Sequence, residues 1–237
     1  MLRFFGPPGT GKTTTLLNLV DDALRKGVDP NSIGYFAYTR KASNVARDRA
    51  VVRFNRDAKK EFLYFRTLHS LSFRLLGLST DDVLQEAQLK EFSEKIGINL
   101  ATGSDQSQED GFTSFRSNHP IMRLIDLTRT TLQDPRICYN RSDVEEPRNV
   151  FLHVFSEYER YKLENKLLDF TDMLLSVSEK PQLFPFFQCC FIDEAQDLTP
   201  LQWKLVSILN HNSERLFLAG DDDQGIYRWA GADLNHF

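Results

Sequence analysis

Short apolar runs, each followed by a segment with helical spacing, make up the first 78 residues of the chain. The runs predict strands and the spaced segments predict helices. In chain order they are Leu2–Phe5, Thr13–Arg25, Ile33–Tyr38, Lys41–Phe54, Phe62–Phe65 and Leu68–Leu76. This β-α-β-α order predicts a parallel sheet with right-handed crossovers.

The pattern changes between about Ser79 and Asn165, where 3.6-residue spacing dominates and no convincing strand is found. The predicted helices there are Asp81–Ile96, Pro120–Leu132 and Pro147–Lys166. Between the first two lies Ala101–Asn118, which is rich in Ser, Gly, Asp and Gln and is predicted to be a mobile loop.

Strand and helix alternate again towards the end of the chain. Gln188–Ile192 and Arg215–Ala219 are continuous apolar runs, typical of strands buried on both faces of a parallel sheet. Pro200–Leu209 between them is predicted to be a helix, with Pro200 near its start. We therefore predict one α/β domain, residues 1–78 plus 167–237, interrupted by a helical insertion, residues 79–166.

Composition narrows the class of protein. The 41% apolar and 26% charged fractions are ordinary for a globular protein. No stretch approaches the ~20 apolar residues of a membrane span, and Gly6-Pro7-Pro8-Gly9 breaks the first apolar run too early for a signal peptide. The three cysteines lack zinc or redox spacing, which favours a reducing, cytoplasmic location without membrane contact.

Charge placement leaves two interpretations open. The formal net charge is −4, which argues mildly against general affinity for nucleic acid. Yet the stretch from Arg40 to Lys60 holds eight basic residues and only two acidic ones, Asp48 and Asp57. Such a stretch is suited to a phosphodiester backbone, and equally to a solvated helix face.

A complete phosphate loop, G-x-x-x-x-G-K-[ST], occupies Gly6–Thr13 between the first strand and the first helix. Its glycines let successive backbone amides turn towards phosphate oxygens at a helix N-terminus. Lys12 is assigned to the β- and γ-phosphates and Thr13 to Mg²⁺. The predicted ligand is a nucleoside triphosphate with magnesium. The residues assigned to nucleotide binding are Gly6, Pro7, Pro8, Gly9, Thr10, Gly11, Lys12, Thr13 and Thr14.

Two carboxylates stand at the tip of the buried strand Gln188–Ile192. Because ligands bind at the carboxyl ends of parallel strands, Asp193 is predicted to hold Mg²⁺ and Glu194 to act as the base for the attacking water. The next strand ends in Asp221-Asp222-Asp223-Gln224. Gln224, with both donor and acceptor, is suited to sense the γ-phosphate, while at least two of the aspartates are interpreted as a solvated turn. Glu194, Lys12 and Gln224 are the predicted catalytic residues.

Taken together, the motifs resemble the first motor domain of superfamily 1 helicases of the UvrD/Rep/PcrA type. The similar segments, for their motifs I, Ia, Ib, the Asp-Phe-Asp-Asp segment, II and III, are Gly6–Thr13, Tyr38–Ala42, Thr67–Ser70, Leu168–Asp172, Ile192–Asp197 and Gly220–Tyr227. Order and spacing hold across the whole chain. The resemblance implies a P-loop NTPase (RecA-like) fold that uses ATP and Mg²⁺.

The resemblance also implies partners. In that family a helical subdomain interrupts the first RecA-like domain and contacts duplex ahead of the motor, while the motor binds single-stranded DNA. The residues that it implies for the DNA track are Tyr38, Thr39, Arg40, His69, Tyr227 and Trp229. For Tyr38 and Trp229 core packing is the alternative, and His69 is also suited to orienting a loop. Stacking on aromatic rings suits a translocase because every base has a π-face. We expect a monomer.

Three departures from the family pattern limit the activity that we expect of this chain. The Gln-containing motif of relatives has no counterpart before Gly6, and motif III reads Trp229-Ala230 where relatives have Trp-Arg. The chain stops at Phe237, directly after motif III. We therefore expect the N-terminal motor portion of an ATP-dependent DNA helicase, truncated before the second RecA-like domain and nearly inactive alone. The alternatives are an ATP-gated DNA- or partner-binding clamp and the motor half of a helicase–nuclease.

Overall fold

A sheet of parallel strands forms the centre of the fold in the computed structural model, which describes residues 1–7, 9–38, 40–54, 61–101, 105–109 and 112–221. For Arg40, Phe54, 105–109 and 112–116 it describes the backbone alone. The strands are Leu2–Phe5 (β1), Ile33–Ala37 (β2), Phe65–Arg66 (β3), Asp105–Glu109 (β4), Phe112–Arg116 (β5), Phe187–Asp193 (β6) and Ser213–Gly220 (β7). Five of them pair in the order β1-β7-β6-β2-β3, every pair parallel.

Helices cover both faces of this sheet, as an all-parallel sheet requires. They are Lys12–Arg25 (α1), Arg40–Phe54 (α2), Leu68–Leu75 (α3), Glu86–Ile96 (α4), Pro120–Thr130 (α5), Pro135–Asn140 (α6), Arg148–Asn165 (α7), Phe170–Ser178 (α8) and Pro200–His211 (α9). Because successive strand residues face opposite sides, Tyr35 packs in the core beneath α1 and α2, whereas Phe36 packs in the core beneath α3, α8 and α9. The predicted α/β class is confirmed.

A third apolar core lies between α4, α5, α6 and α7. Its buried members run from Leu84 to Leu167 and include Phe92, Phe151 and Tyr158. None of these residues belongs to the two cores beside the sheet. The segment between β3 and β6 thus carries a core of its own.

The two buried strands predicted late in the chain are confirmed, each one or two residues longer than expected at its ends. The third predicted strand was placed too early. It covers only Phe65–Arg66, because Phe62 has φ +58° and turns the chain before the sheet.

Two predicted helices have different bounds. The helix expected from Asp81 begins only at Glu86, because Val83 pairs with Leu168 and the Leu84 amide donates to the Leu168 carbonyl. The helix expected to reach Leu132 ends at Thr130, and Leu132 has φ +57°, outside the helical region.

The prediction of a loop over Ala101–Asn118 was wrong. The structure places the antiparallel strands β4 and β5 there, with Gln106 opposite Phe115 and Glu109 opposite Phe112. Pairing within the segment satisfies the backbone polar groups that face the partner strand, despite the polar composition of the segment. The sequence signal was the dipeptide Asp110-Gly111, typical of two-residue hairpin turns; it lies outside the described residues.

Candidate active site

The phosphate loop joins the end of β1 to the start of α1. Gly9 and Gly11 have φ +78° and +82°, a region that residues with a Cβ avoid. Gly11 is the N-cap of α1 and offers no side chain to the first helical amides, which therefore remain available to an anion. The described part of the loop thus lies between a strand and a helix and has two glycines in the left-handed region. Pro8 lies outside the described residues.

Lys12 folds back across this loop. Its Nζ donates to the Gly6 carbonyl at 2.5 Å and to the Pro7 carbonyl at 3.3 Å. The Thr10 hydroxyl also donates to the Pro7 carbonyl, at 2.7 Å. The ammonium group thus lies over the loop rather than in solvent, where an anion bound by the loop amides would meet its charge.

Asp193 ends β6 directly beside the loop. The Thr13 Oγ1 donates to Asp193 Oδ2 at 2.9 Å, although 180 positions separate the two residues. The Glu194 amide donates to Asp193 Oδ1 at 3.1 Å. Burial raises the pKa of Asp193, while hydrogen bonds from Tyr35 and Thr13 act in the opposite direction. The structure therefore brings together the two predicted metal ligands.

Tyr35, which belongs to no motif recognised in the sequence, also contacts Asp193. Its hydroxyl donates to Asp193 Oδ2 at 2.7 Å from the middle of β2. Burial raises the pKa of Tyr35 well above its ordinary value, with the nearby Asp193 charge adding to the effect. The phenol therefore stays neutral and keeps the proton that it donates. An apolar strand pattern shows that Tyr35 is buried, but not where its hydroxyl lies.

Glu194 adopts an unusual backbone conformation at the end of β6, with φ +54° and ψ +45°. Non-glycine residues in this region are uncommon and cluster at functional sites. Its Oε2 accepts a hydrogen bond from Gln196 Nε2 at 2.8 Å, and Gln196 Oε1 accepts from the Asp221 amide at 3.0 Å. Gln196, a second residue without a role in the sequence analysis, thus links the candidate base to the end of β7.

The oxygen donors fit Mg²⁺. A hydroxyl from Thr13 and a carboxylate from Asp193 are hard ligands at one point, and Mg²⁺ usually combines one or two such groups with substrate phosphates and water. Among the described residues, no group of three or more His, Cys, Asp or Glu side chains forms a metal site by itself. The arrangement is therefore suited to a cation that arrives with a polyphosphate.

A cavity of about 580 Å³ opens beside the loop, between α1 and α2. It is lined by Thr14, Leu17, Asp48, Arg49, Val52 and Arg53. Arg53 pairs with Asp21 at 3.1 Å and donates to Asn18 at 2.9 Å. At least this arginine of the basic stretch is thus engaged within the fold rather than presented as a free cation.

The residues implied for the DNA track divide into two sets. Tyr38 follows β2 and His69 lies in the first turn of α3, after β3; since β2 and β3 are paired, both lie at the same sheet edge. Tyr38 is half-buried against the core, and His69 meets the Phe170 ring edge-on at 5.1 Å. The backbone of Arg40 begins α2. The track residues Thr39, Tyr227 and Trp229 lie outside the described residues, as does Gln224, the predicted γ-phosphate sensor.

The fold and the site define a P-loop protein with a parallel sheet between helices. Residues 5–237 match the family model described as the UvrD/REP helicase N-terminal domain. The chain belongs to this family. Motif order and spacing had led to the same family from the sequence.

Two relatives illustrate the similarity. A probable DNA helicase II homolog of Mycoplasma genitalium is 31% identical over 94% of this chain and 34% of its own length. The ATP-dependent DNA helicase PcrA of Bacillus subtilis is 27% identical over 96% of this chain and 32% of its own length. The chain therefore spans about a third of the curated relatives that it matches.

Proposed function

We propose that this chain is the ATP- and Mg²⁺-binding N-terminal motor portion of an ATP-dependent DNA helicase or translocase. The observation that carries the proposal is the 2.9 Å hydrogen bond between Thr13 and Asp193. It joins the phosphate loop to the strand-end carboxylate, so one magnesium-bound polyphosphate is within reach of both. Family membership supplies the expectation that the nucleotide drives movement on DNA.

The residues divide the work at this site. The loop amides and Lys12 would hold the phosphates; Thr13 and Asp193 would hold Mg²⁺, which when bound neutralises charge on the β- and γ-phosphates. Glu194 would orient and deprotonate the attacking water. Gln196 would hold the Glu194 carboxylate in place through its hydrogen bond. Gln224 would sense the γ-phosphate. The proposed nucleotide-binding residues are Gly6, Pro7, Pro8, Gly9, Thr10, Gly11, Lys12, Thr13 and Thr14.

We propose that the nucleoside occupies the cavity beside Thr14. Its walls include the side chains of Arg49 and Leu17, a charged and an apolar surface next to the loop. A planar base and a ribose fit a cavity of about 580 Å³ with this mixed lining.

Single-stranded DNA is the proposed polymer substrate. Tyr38 and His69 lie at the edge of the sheet that also carries Asp193, so a strand bound there would pass close to the nucleotide. We propose the track as Tyr38, Thr39, Arg40, His69, Tyr227 and Trp229. A duplex junction would lie against the inserted helices.

The division into residues 1–78 plus 167–237 and residues 79–166 is part of the proposal. The separate core that runs from Leu84 to Leu167 supports it. Within the part of the chain that the structure describes, no helix combines the length and apolar character needed to span a bilayer. The three cysteines are free, which agrees with a reducing compartment. A monomer remains our expectation.

We also propose that these 237 residues hydrolyse ATP slowly. Phosphoryl transfer in related enzymes gains about 10³–10⁵ in rate from an arginine that reaches the transferred group. Among the described loop residues, Lys12 places its positive charge over the proposed phosphate site. We expect a second lobe to complete the charge around the transition state.

Nucleotide binding by Lys12→Ala tests the proposal. The variant removes one charge-assisted contact and both of its bonds to the loop, so we expect the affinity for a fluorescent ATP analogue with Mg²⁺ to fall about 10- to 100-fold. Lys26→Ala is the matched control, since Lys26 is exposed at the other end of α1. If Lys12→Ala and the control bind with equal affinity, the phosphate-loop assignment is wrong.

A further inference from the structure

Tyr35 lies in the middle of β2, the strand next to β6, which carries the candidate metal ligand Asp193. It is 0% exposed. In the register of the sheet it lies between Phe65 of β3 and Phe191 of β6, and it stacks on their rings with centroid distances of 5.1 and 6.2 Å. The ring is packed between these two rings, and its hydroxyl reaches Asp193 Oδ2 at 2.7 Å.

The hydroxyl adds nothing that packing requires at this position. Phe65 and Phe191 on either side show that a phenyl ring fills the same layer. A hydroxyl buried among such rings costs free energy unless an acceptor satisfies it. Its acceptor is the carboxylate that also receives the Thr13 hydroxyl. The polar group is thus directed at the site and not at the core.

The two hydroxyl donors to Asp193 are not equivalent. Thr13 lies at the start of α1 and is itself a proposed magnesium ligand, so its oxygen serves the cation as well as the carboxylate. Tyr35 is fixed within the sheet and is directed to Asp193. A carboxylate held by a fixed donor keeps one orientation, which lowers the cost of ordering it around a cation.

We propose that Tyr35 is a positioning residue for Asp193: its hydroxyl holds the carboxylate in the orientation that binds Mg²⁺ together with a nucleotide. The inference rests on the proposed function and deepens it, because it names a residue that supports the proposed metal ligand Asp193 without binding the metal itself. Tyr35 does not touch the nucleotide in this proposal, and it acts through Asp193.

The test is the magnesium dependence of nucleotide binding by Tyr35→Phe. Affinity for a fluorescent ATP analogue is measured in EDTA and in Mg²⁺, and the ratio of the two is the magnesium-dependent gain. Loss of one hydrogen bond to a charged group predicts a gain about tenfold smaller than in the parent chain, with unchanged affinity in EDTA. Tyr64→Phe is the matched control, because Tyr64 packs edge-on against Phe187 on the other face of the sheet.

Each outcome decides the matter. The proposal is supported if the gain falls at least fivefold in Tyr35→Phe, if Tyr64→Phe keeps the gain of the parent chain, and if adding Tyr35→Phe to Asp193→Asn lowers the gain no further. It is overturned if Tyr64→Phe lowers the gain equally, or if Tyr35→Phe still lowers it in the Asp193→Asn chain. A reduction below fivefold overturns it, as does loss of folding in Tyr35→Phe alone, which would make the hydroxyl purely structural. If the parent chain binds the nucleotide neither in EDTA nor in Mg²⁺, the proposed function is wrong, and the inference about Tyr35 is then wrong as well.

Discussion

Removal of the Arg129 guanidinium tests whether buried charges hold the inserted helices to α8. Arg129 of α5 contacts Asp169 at 2.5 Å, Glu159 at 3.4 Å and Asp172. Lys162 of α7 contacts the same three carboxylates at 2.7–2.9 Å. These five side chains are called the buried ion network here. The side chains of Arg129 and Lys162 are only 7% and 3% exposed, so solvent screens these two cations little, whereas the side chain of Glu159 is 40% exposed.

The magnitude follows from the charges that remain. In Arg129→Met, three carboxylates share the single cation Lys162. Burial opposes ionisation of Asp169, yet Lys162 and Arg129 together hold the pKa of this carboxyl well below its usual range. Without Arg129, Lys162 is the one cation of the network left to oppose the effect of burial. Removing one partner of a buried pair costs about 3–5 kcal/mol, and we expect a loss of that size in the free energy of unfolding.

Urea unfolding at pH 7.5, followed by far-UV circular dichroism, measures the loss. The control is Arg160→Met, since Arg160 also pairs with two glutamates of α7 but its side chain is 55% exposed; exposed pairs contribute about 0–1 kcal/mol. Adding Asp172→Asn to Arg129→Met removes one uncompensated charge and should recover about 1–2 kcal/mol. The reasoning is refuted if Arg129→Met costs no more than Arg160→Met.

The buried ion network also bears on the candidate DNA track. Asp169 is the N-cap of α8 and Asp172 closes a capping box with it. Between them stands Phe170, whose ring meets His69 of α3. The charges on α5 and α7 therefore fix the first turn of the helix that packs against His69. Hydrogen exchange in Arg129→Met should rise first at the amides of this turn.

The sequence was sufficient for the parts of the fold whose signal is local. A short run of residues is enough to predict each of three features: the phosphate loop, the buried strands β6 and β7, and the two carboxylates at the end of β6. Parallel topology then places Thr13, after β1, on the same side as Asp193 at the end of β6, because the carboxyl ends of all parallel strands lie at one edge of the sheet. The site could thus be predicted because it combines local motifs with one general rule.

The remaining features depend on partners distant in the chain. Val83 leaves the helical pattern only because Leu168 lies opposite. Arg129 and Lys162 lie on the apolar faces of α5 and α7, but their positions in the sequence do not show that Asp169 and Asp172 at the start of α8 neutralise them. Tyr35 is one apolar position among several in β2 until the sheet directs its hydroxyl to Asp193. Periodicity reports burial but not the partner that a buried polar atom meets.

Two further substitutions separate local strain from function at the site. Gly11→Ala and Gly27→Ala both place a Cβ at φ above +80° without a close contact, so each should cost about 1–2 kcal/mol of stability. Only Gly11→Ala should also weaken the binding of an ATP analogue, by about tenfold or more. Equal affinities of the two variants would contradict the phosphate-loop assignment. Asp197 is 8% exposed, and burial and the nearby Glu194 raise its pKa to about 6. The folded carboxyl therefore binds its proton more tightly than the unfolded one, and stability falls as the pH rises from about 4 to 6. Asp197→Asn removes this loss, so urea unfolding should show a gain of about 1–2 kcal/mol at pH 8, after allowance for solvent screening, and a smaller gain at pH 5. An equal effect at both pH values would show that the Asp197 carboxyl titrates alike in the folded and unfolded chain.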